Sequence, residues 1–498
     1  MGYSVWLALV LVALFTYLIQ ELICKKKKKI PPGPRGLPLI GNLHMVGKNI
    51  LHDLHKIAKK YGPIMSMRLG LVPVIVASSP YAAQQFLKNH DLVFSSRPYS
   101  EVSQYIFYDQ RNLVSSKYGP YWRNMRKLCT LQLLSNAKIH SFQSMRKQEL
   151  EILVDFLKQH RGVVVDLTDK ISSFSANMSC LMIFGKKYMD EDLGINELVK
   201  ETMCIAARPK LGDYIPFLGV FDLQGLSRRM KELAKPLDEF LERVIDEHLH
   251  KFSDKNQAKD IVDTLMAIMH SNEAEFEFDH RHVKAVLLDL LVASMDTSST
   301  AVEWILSEVL RHPDVMKKLQ NEMERVVGRN RMVEEMDLES LEYLDMVIKE
   351  GFRLHPVAPL LIPHESIEDC RVDDFHIRKG SRLLINVWAI GRDPNVWPEP
   401  EKFKPERFLE CNIDLRGRDF QLLPFGSGRR SCPGMQLGLT IVRLLVAQLV
   451  HCFDWELPNG MIPKDVDMTE KFGLVLARAQ HLMVIPKSYR LKFSQNKC

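Results

Sequence analysis

One ten-residue segment, Phe425-Gly-Ser-Gly-Arg-Arg-Ser-Cys-Pro-Gly434, constrains this 498-residue chain more than any other stretch. Gly426, Gly428 and Gly434 permit tight turns and the close approach of a flat partner. Proline suits the first helical position, so Pro433 sets Cys432 beside the start of a helix. The positive helix end and Arg430 both favour a thiolate there. A buried cysteine in a Gly-rich turn is the plainer alternative, and the combination of residues argues against it. Nine cysteines occur in all, an odd number at wide spacing and without a C-x-x-C. A disulfide framework or a zinc site is therefore not expected, and a reducing compartment is.

The other end of the chain reads as a membrane anchor. Met1 to Gln20 has no charged side chain, and Val5-Trp-Leu-Ala-Leu-Val-Leu-Val-Ala-Leu-Phe15 is almost wholly apolar. Twenty helical residues span about 30 Å, the hydrocarbon thickness. Trp6 and Tyr17 suit the two interfaces. A cleaved signal peptide needs a basic stretch ahead of the apolar run and a small-x-small cleavage site. Here Lys25–Lys29 follow the run, which places the rest of the chain on the cytoplasmic side. Those five lysines account for most of the formal charge of +6, leaving a near-neutral body. The basic balance thus points to the lipid bilayer and not to nucleic acid. With one candidate span, a multi-span transporter is excluded. Pro31-Pro-Gly-Pro-Arg-Gly-Leu-Pro38 predicts a stiff extended link. The organisation expected is an anchor over 1–24, a polybasic and Pro-rich linker over 25–39, and one large body over 40–498.

That body reads as mainly α with small β-sheets. Ile64–Leu69 and Val72–Ala77 are strand-like around Gly70, and Pro80 opens a helix. Helical periodicity covers about 119–134, 137–160, 167–184, 227–252 and 258–270. The longest helical pattern, 281–312, is closed by Pro313 and would extend about 48 Å. Further helix is predicted over 332–354 and 435–453, with strand-like pieces at 372–377 and 382–387 and an irregular Pro-rich stretch over 393–408.

A glycine-braced thiolate is a suitable soft ligand for haem iron. The pattern F-x-x-G-x-R-x-C-x-G of Phe425 to Gly434 resembles the cysteine loop of the cytochrome P-450 superfamily. Three more segments match in order: Trp122-Arg-Asn-Met-Arg126, Glu350-Gly-Phe-Arg353 and Phe403-Lys-Pro-Glu-Arg-Phe408. The anchor and Pro31-Pro-Gly-Pro34 resemble a microsomal member. Tyr118-Gly-Pro-Tyr-Trp-Arg123 and Phe352-Arg-Leu-His-Pro356 resemble plant members acting on natural products. The resemblance covers essentially the whole chain and implies the cytochrome P-450 fold with an N-terminal transmembrane helix.

The same resemblance assigns expected roles. Cys432 is the axial ligand of the iron of haem b, with Phe425 and Gly426 in its loop. Trp122 and Arg126 lie four apart on one helical face and, with His364 and Arg430, are candidates for the haem propionates. Glu350 and Arg353, three apart, gain Arg407 to brace the cysteine loop. Within Ala293-Ser-Met-Asp-Thr-Ser-Ser-Thr300, the hydroxyl of Thr297 can bond back to the Ala293 carbonyl and bend the helix. Asp296 and Thr297 are the expected catalytic acid and hydroxyl, although Ser294 stands where glycine is usual. Substrate-lining candidates are Val286, Leu290, Ala293 and Thr297 on one helical stripe, then Tyr105, Phe107, Val357, Leu361, Phe472 and Leu474. Their mostly apolar character implies a small lipophilic substrate.

The function these features imply is a haem-thiolate monooxygenase of the endoplasmic reticulum membrane, single-pass with a cytoplasmic catalytic domain. It would insert one atom of O2 into a terpenoid, phenolic, biphenyl or flavonoid metabolite. NADPH would act indirectly, through an NADPH-cytochrome reductase, because the chain has no G-x-G-x-x-G site of its own. The alternatives are a reductase-independent haem isomerase or dehydratase of hydroperoxides, and a non-enzymatic haem binder. The retained Thr297 and the uninterrupted cysteine loop argue against the first.

Overall fold

In a computed structural model describing residues 29–188, 194–251, 260–271 and 276–492, the residues flanking Gly70 form the hairpin expected of them. The proposed anchor, 1–24, lies outside the described residues, as do Lys25 to Lys28. Helix α1 (Ile50–Tyr61), which the sequence reading passed over, buries Leu51, Leu54, Ile57 and Ala58 at helical spacing. It leads into β1 (Ile64–Leu69) and β2 (Val72–Ala77), paired antiparallel from Ile64↔Ala77 to Leu69↔Val72. Two later strands, β3 (His364–Glu365) and β4 (Arg382–Ile385), complete a sheet in the order β1-β2-β4-β3, with β2 and β4 parallel. The Pro-rich segment lies along this sheet. Ser66 donates its N–H to the Pro32 carbonyl at 2.8 Å and its hydroxyl to that of Pro31 at 2.6 Å.

Helices make up most of the rest. In chain order they include α2 (Pro120–Leu128), α3 (Gln143–Gln159), α4 (Leu167–Phe184), α5 (Leu226–Lys251), α6 (His280–Arg311), α7 (Glu342–Leu354) and α8 (Met435–Cys452). The axis of the arrangement is α6, which packs on α4, α7 and α8. Asp279 caps it, accepting from the His282 N–H at 3.1 Å. Both α6 and α8 are long and apolar enough to cross a membrane, but most of each apolar stretch is buried inside the protein, as in core helices.

Several boundaries differ from those the periodicity predicts. The pattern at 137–160 breaks at Phe142, whose backbone leaves the helical region between Asn136–Ser141 and α3. Helix over 332–354 begins only at Glu342, because Asp337 takes the Arg331 guanidinium and the Glu334 N–H and folds Glu335–Ser340 into a tight 3-10 turn. The strand-like run 372–377 is a hairpin, Cys370–Val372 against Phe375–Ile377, turned at Asp373 with φ of 50°.

The irregular stretch 391–404, which the 3-10 turn Pro405–Phe408 closes, owes its shape to three charged side chains. Glu350 accepts from Arg353 at 2.7 and 2.9 Å and from Arg407 at 2.9 Å, and also from the Lys404 N–H at 2.8 Å. Arg353 and Glu350 have no solvent exposure at their side chains. The remaining guanidinium donors go to carbonyls: Arg353 to Gly391, Pro400 and Lys402, Arg407 to Pro398, Glu399 and Lys402. A chain segment without helix or sheet thereby has its backbone acceptors satisfied from the side. Glu350→Gln keeps the shape and removes the charge that the two buried arginines face. We expect it to cost about 3–5 kcal/mol in denaturant unfolding, whereas Glu399→Gln, in an exposed pair with Lys402, should leave the unfolding midpoint essentially unchanged.

Candidate active site

The cysteine loop is built from backbone conformations that suit glycine. Gly426 and Gly428 have φ of 67° and 71°, and a Cβ on Gly428 would meet the Leu87 carbonyl and the Asp91 carboxylate at 2.5 Å. Asp91 fastens the loop from outside, accepting from the Arg429 N–H at 3.1 Å and pairing with its guanidinium. The Cys432 N–H closes the turn onto the Phe425 carbonyl at 2.9 Å. Phe425 meets Phe352 of α7 with ring centroids 5.5 Å apart, so the buried charge cluster and the loop share a wall.

Cys432 itself opens onto solvent-sized space, yet it sits deep enough that burial pushes its thiol up. The Gly434 N–H and the Arg126 charge oppose that shift. This corrects one expectation: the cation acting on the sulfur is Arg126, which donates to the Ser431 carbonyl at 2.9 Å. Arg430 turns away instead, to the carbonyls of Ser95 and Ser116 at 2.6 Å and of Leu113 at 3.4 Å.

Arg430 also lies 4.0 Å from the centre of the Trp122 ring, whose N–H donates to the Leu113 carbonyl at 3.1 Å. Beside them is Arg97, 5% exposed, donating to the carbonyls of Ile362, Pro363 and Val114. His364 is buried next to it, its Nδ1 2.8 Å from the Phe94 carbonyl. Burial and the Arg97 and Arg430 charges hold this imidazole well below its ordinary value, and so neutral. Burial pushes Arg97 down to about 9; burial and the neighbouring guanidinium groups of Arg97 and Arg126 push Arg430 to about 8. Among the described residues none of Arg97, Arg126 and Arg430 has a carboxylate partner. Three largely buried cations without an anion are costly, so this corner is built to receive negative charge.

On the opposite wall, Thr297 donates to the Ala293 carbonyl at 2.7 Å and Ser294 to that of Leu290 at 2.6 Å. The expected back-bond is present, but α6 stays helical through this stretch. Burial raises the Asp296 carboxyl, with Lys200 opposing. Ala293 is exposed in the middle of a mostly buried helix, and Leu290 and Thr297 are partly open. The expected fourth member of that stripe, Val286, is 1% exposed and belongs to the core. Its end of α6 packs on α5, where Lys284 reaches Asp238 and Glu242 at 2.6 and 2.8 Å. The walls meet where Gly438 of α8 faces Phe425 and the Ser298 hydroxyl.

Of the other substrate-lining candidates, Leu361 lies against Gly426, whereas Val357 is buried in the core, its carbonyl accepting from the Leu476 N–H at 2.9 Å. Phe472 and Leu474 are exposed just before Leu476. Phe107 is half-buried against the core, while Tyr105 lies in an outer surface cleft beneath Lys231.

Comparison with known proteins identifies the group. The family model described as Cytochrome P450 matches residues 31–484. The chain belongs to the cytochrome P450 family. It is 50% identical over 475 residues, 94% of this chain and 95% of the relative, to a Panax ginseng protein described as Cytochrome P450 CYP736A12. It is 41% identical to a 3-beta-hydroxylase of Tanacetum parthenium, over 93% of both chains. It is 40% identical to the flavonoid 3'-monooxygenase CYP75B137 of Crocosmia x crocosmiiflora, over 97% of both. The chain is thus an oxidoreductase of the monooxygenase class. The family's haem iron fits the site. A cytochrome P450 needs a sulfur ligand and a counterpart for two propionates, and the loop offers one open cysteine beside three uncompensated guanidinium groups.

Two residues here escaped the sequence reading. Arg97, between Ser96 and Pro98, carries no periodic signal. Asp289 does carry one, as a lone acid in the apolar run Ala285–Val292. It clamps the loop ahead of α2 to α6, accepting from the Asn112 side chain at 2.6 Å and from the Leu113 and Val114 N–H groups at 2.7 and 3.1 Å. Burial raises Asp289 to about 7 despite these donors. An unfolded aspartate ionises near about 4, so between those values the folded state holds a proton the unfolded state has lost. This group's contribution therefore falls as pH rises from about 4 to about 7 and is lost above that. Asp289→Asn should flatten the thermal midpoint against pH across this window, which a melting series checks.

Proposed function

We propose that this cytochrome P450 is a reductase-dependent monooxygenase of a lipophilic plant specialised metabolite, with Cys432 as the axial ligand of haem iron. The observation that carries this reading is the cluster of Arg97, Arg126 and Arg430, which gathers charge without a carboxylate beside the one cysteine held in a glycine-turned loop. Arg97, Arg126, Arg430, Trp122 and His364 would hold the propionates. Haem bound there supplies the oxygen-activating iron, and a thiolate ligand favours O–O cleavage.

The chain's own groups manage protons and position. Burial gives Asp296 a stronger hold on a proton at neutral pH than an exposed aspartate has, which suits a proton carrier. Thr297 commits its hydroxyl hydrogen to the Ala293 carbonyl, leaving its oxygen lone pairs as acceptors for water or protons arriving in the open groove. Ser294 spends its hydroxyl in the same way on Leu290, so the residue in the usual glycine position adds bulk to the groove but no free donor. The open sides of Ala293, Leu290 and Leu361 offer an apolar wall to the substrate. Terpenoid, phenolic or flavonoid frameworks suit it, and the names of two relatives, a 3-beta-hydroxylase and a flavonoid 3'-monooxygenase, support hydroxylation.

Electrons would come from an NADPH-cytochrome reductase in the same membrane. We place the anchor at 1–24, the linker at 25–39 and the catalytic domain at 40–498, facing the cytoplasm from the endoplasmic reticulum. Exposed apolar side chains at Leu37, Leu39, Phe217, Val220 and Phe221 support a second contact with the bilayer.

The ligand assignment is tested by the carbon-monoxide difference spectrum. Cys432→Ser should abolish the thiolate band of the reduced protein, and Cys204→Ser, at the other exposed cysteine among the described residues, should keep it. An intact band in the first variant would overturn the assignment. Electron delivery is tested on α2. Arg126 turns inward to the cysteine loop, whereas Arg123 and Lys127 are exposed on another face of the helix. Two cations there suit an acidic flavoprotein surface and would govern encounter rate. Arg123→Glu with Lys127→Glu should slow haem reduction by the reductase about tenfold or more and flatten its salt dependence. Reduction by dithionite should be unchanged; a parallel loss would make the residues structural.

A further inference from the structure

The hairpin that carries Phe472 and Leu474 is too small to hold itself. Its strands are two residues long, Glu470–Lys471 against Ala477–Arg478, joined by the pairs Ala477↔Lys471 and Arg478↔Glu470. An isolated two-stranded ribbon is marginal in water even when it is longer. The tip, 472–475, holds two large apolar side chains, Phe472 and Leu474, which are 36% and 42% exposed. Whatever fixes this tip must come from other elements, and much of it comes from one stretch of α6.

Trp304, buried in the core, donates its indole N–H to the Leu476 carbonyl at 2.7 Å. The Leu476 N–H donates to the Val357 carbonyl at 2.9 Å, so both backbone groups are committed where the tip rejoins its strand. The indole is itself held by its face. His355, directly after α7, stacks on it with ring centroids 4.2 Å apart and planes 2° from parallel. Glu308, one turn further along α6, lies 2.7 Å from the His355 Nε2. Glu303, beside Trp304, pairs with Arg478 at 3.6 Å. These contacts refer the hairpin to both landmarks of the site. Trp304 stands two turns, about 10 Å, beyond Thr297 on α6. Val357 opens the segment that reaches Leu361, which is held at φ of 53° against Gly426 of the cysteine loop.

We propose that Trp304 is a positioning residue for substrate: through Leu476 its indole N–H holds the tip 472–475 at a set distance from Thr297 and from the cysteine loop, and the tip limits how a long substrate extends. The proposal rests on the reading of the site as that of a monooxygenase of a lipophilic substrate, and it adds the group that fixes one wall of the substrate space. Trp304 acts only through the hairpin and touches none of the reacting atoms. Loss of the indole N–H leaves the buried Leu476 carbonyl without its donor, and two ladder pairs are too few to keep the tip in place. Phenylalanine at 304 keeps an aromatic ring against His355 and removes that donor.

The test uses the full-length haem-loaded protein in nanodiscs, amide hydrogen exchange, and two nitrogen ligands of haem iron read by the Soret shift. Imidazole is too small to reach the hairpin; a biphenylyl-imidazole carries two rings away from the iron. Trp304→Phe should speed exchange across 472–476 about tenfold. It should weaken the biphenylyl ligand about fivefold and leave imidazole within about twofold. Trp455→Phe, which loses a comparable indole bond to the Leu449 carbonyl, should change none of these. Phe472→Ala with Leu474→Ala, at exposed positions, should weaken the biphenylyl ligand alone. Unchanged exchange across 472–476 in Trp304→Phe overturns the tie. Equal weakening of both ligands in that variant, or biphenylyl binding indifferent to the tip substitutions, overturns the substrate role; the tip variant decides this alone if Trp304→Phe does not retain haem. A wild-type protein giving no Soret shift with either ligand overturns the haem reading itself, while exchange still decides whether Trp304 holds the hairpin.

Discussion

The fold around the site depends on one buried charge balance. Glu350, with no exposed surface, accepts from Arg353, Arg407 and the Lys404 backbone, and the two arginines spend their other donors on carbonyls between Gly391 and Lys402. Buried ion pairs are weak sources of stability compared with apolar packing, but they are exacting about geometry. Here the geometry is the product. An irregular stretch of Pro-rich chain cannot hold itself by helix or ladder bonds, and the guanidinium groups give it a fixed course. That course carries the chain past α7, whose Phe352 meets Phe425, into the loop that presents Cys432.

The contrast with the cationic corner at Arg97, Arg126 and Arg430 is instructive. Around Glu350 the protein supplies both signs of charge and closes the account internally. Around Arg430 it supplies only one. Arg97, Arg126 and Arg430 satisfy donors on carbonyls of Ser95, Leu113, Ser116, Ile362 and Ser431, which fixes their positions without neutralising them. A protein that tolerates three such groups together leaves room for a partner that brings the missing anions. The two clusters use the same side chain for opposite purposes, and the difference lies in whether a carboxylate faces it.

Local chemistry decides how much of this was legible in the sequence. The hairpin around Gly70, the long helix ended by Pro313 and the Thr297 back-bond each follow from residues adjacent in the chain, and each is present. The joining of Arg407 to Glu350 and Arg353 also followed from the motifs, because the charges have few other means of being buried. Helix boundaries at Phe142 and Glu342 were missed, since they turn on a single backbone angle and on an Asp337 side chain competing for backbone donors. Val286 shows the limit of a stripe: periodicity gives the face of a helix but not what packs over each turn of it. Arg97 was invisible because its importance comes wholly from residues hundreds of positions away, at Ile362 and Pro363.

Asp289 links the two walls of the site. It sits on α6 four positions before Ala293, and through Leu113 and Val114 it fixes the loop whose Leu113 carbonyl receives both the Trp122 indole and Arg430. A single buried acid on the helix that carries Asp296 and Thr297 thereby sets the backbone on which the cationic corner rests. Its burial is costly for a carboxylate, as the rise to about 7 records, and three donors offset only part of that cost. An apolar residue at 289 would pack at less expense, but it would leave the Leu113 and Val114 N–H groups buried without acceptors and the loop free to drift from α6. The acid is therefore best understood as the tie that keeps the α6 groove at Ala293 and Thr297 and the cationic corner in register with each other.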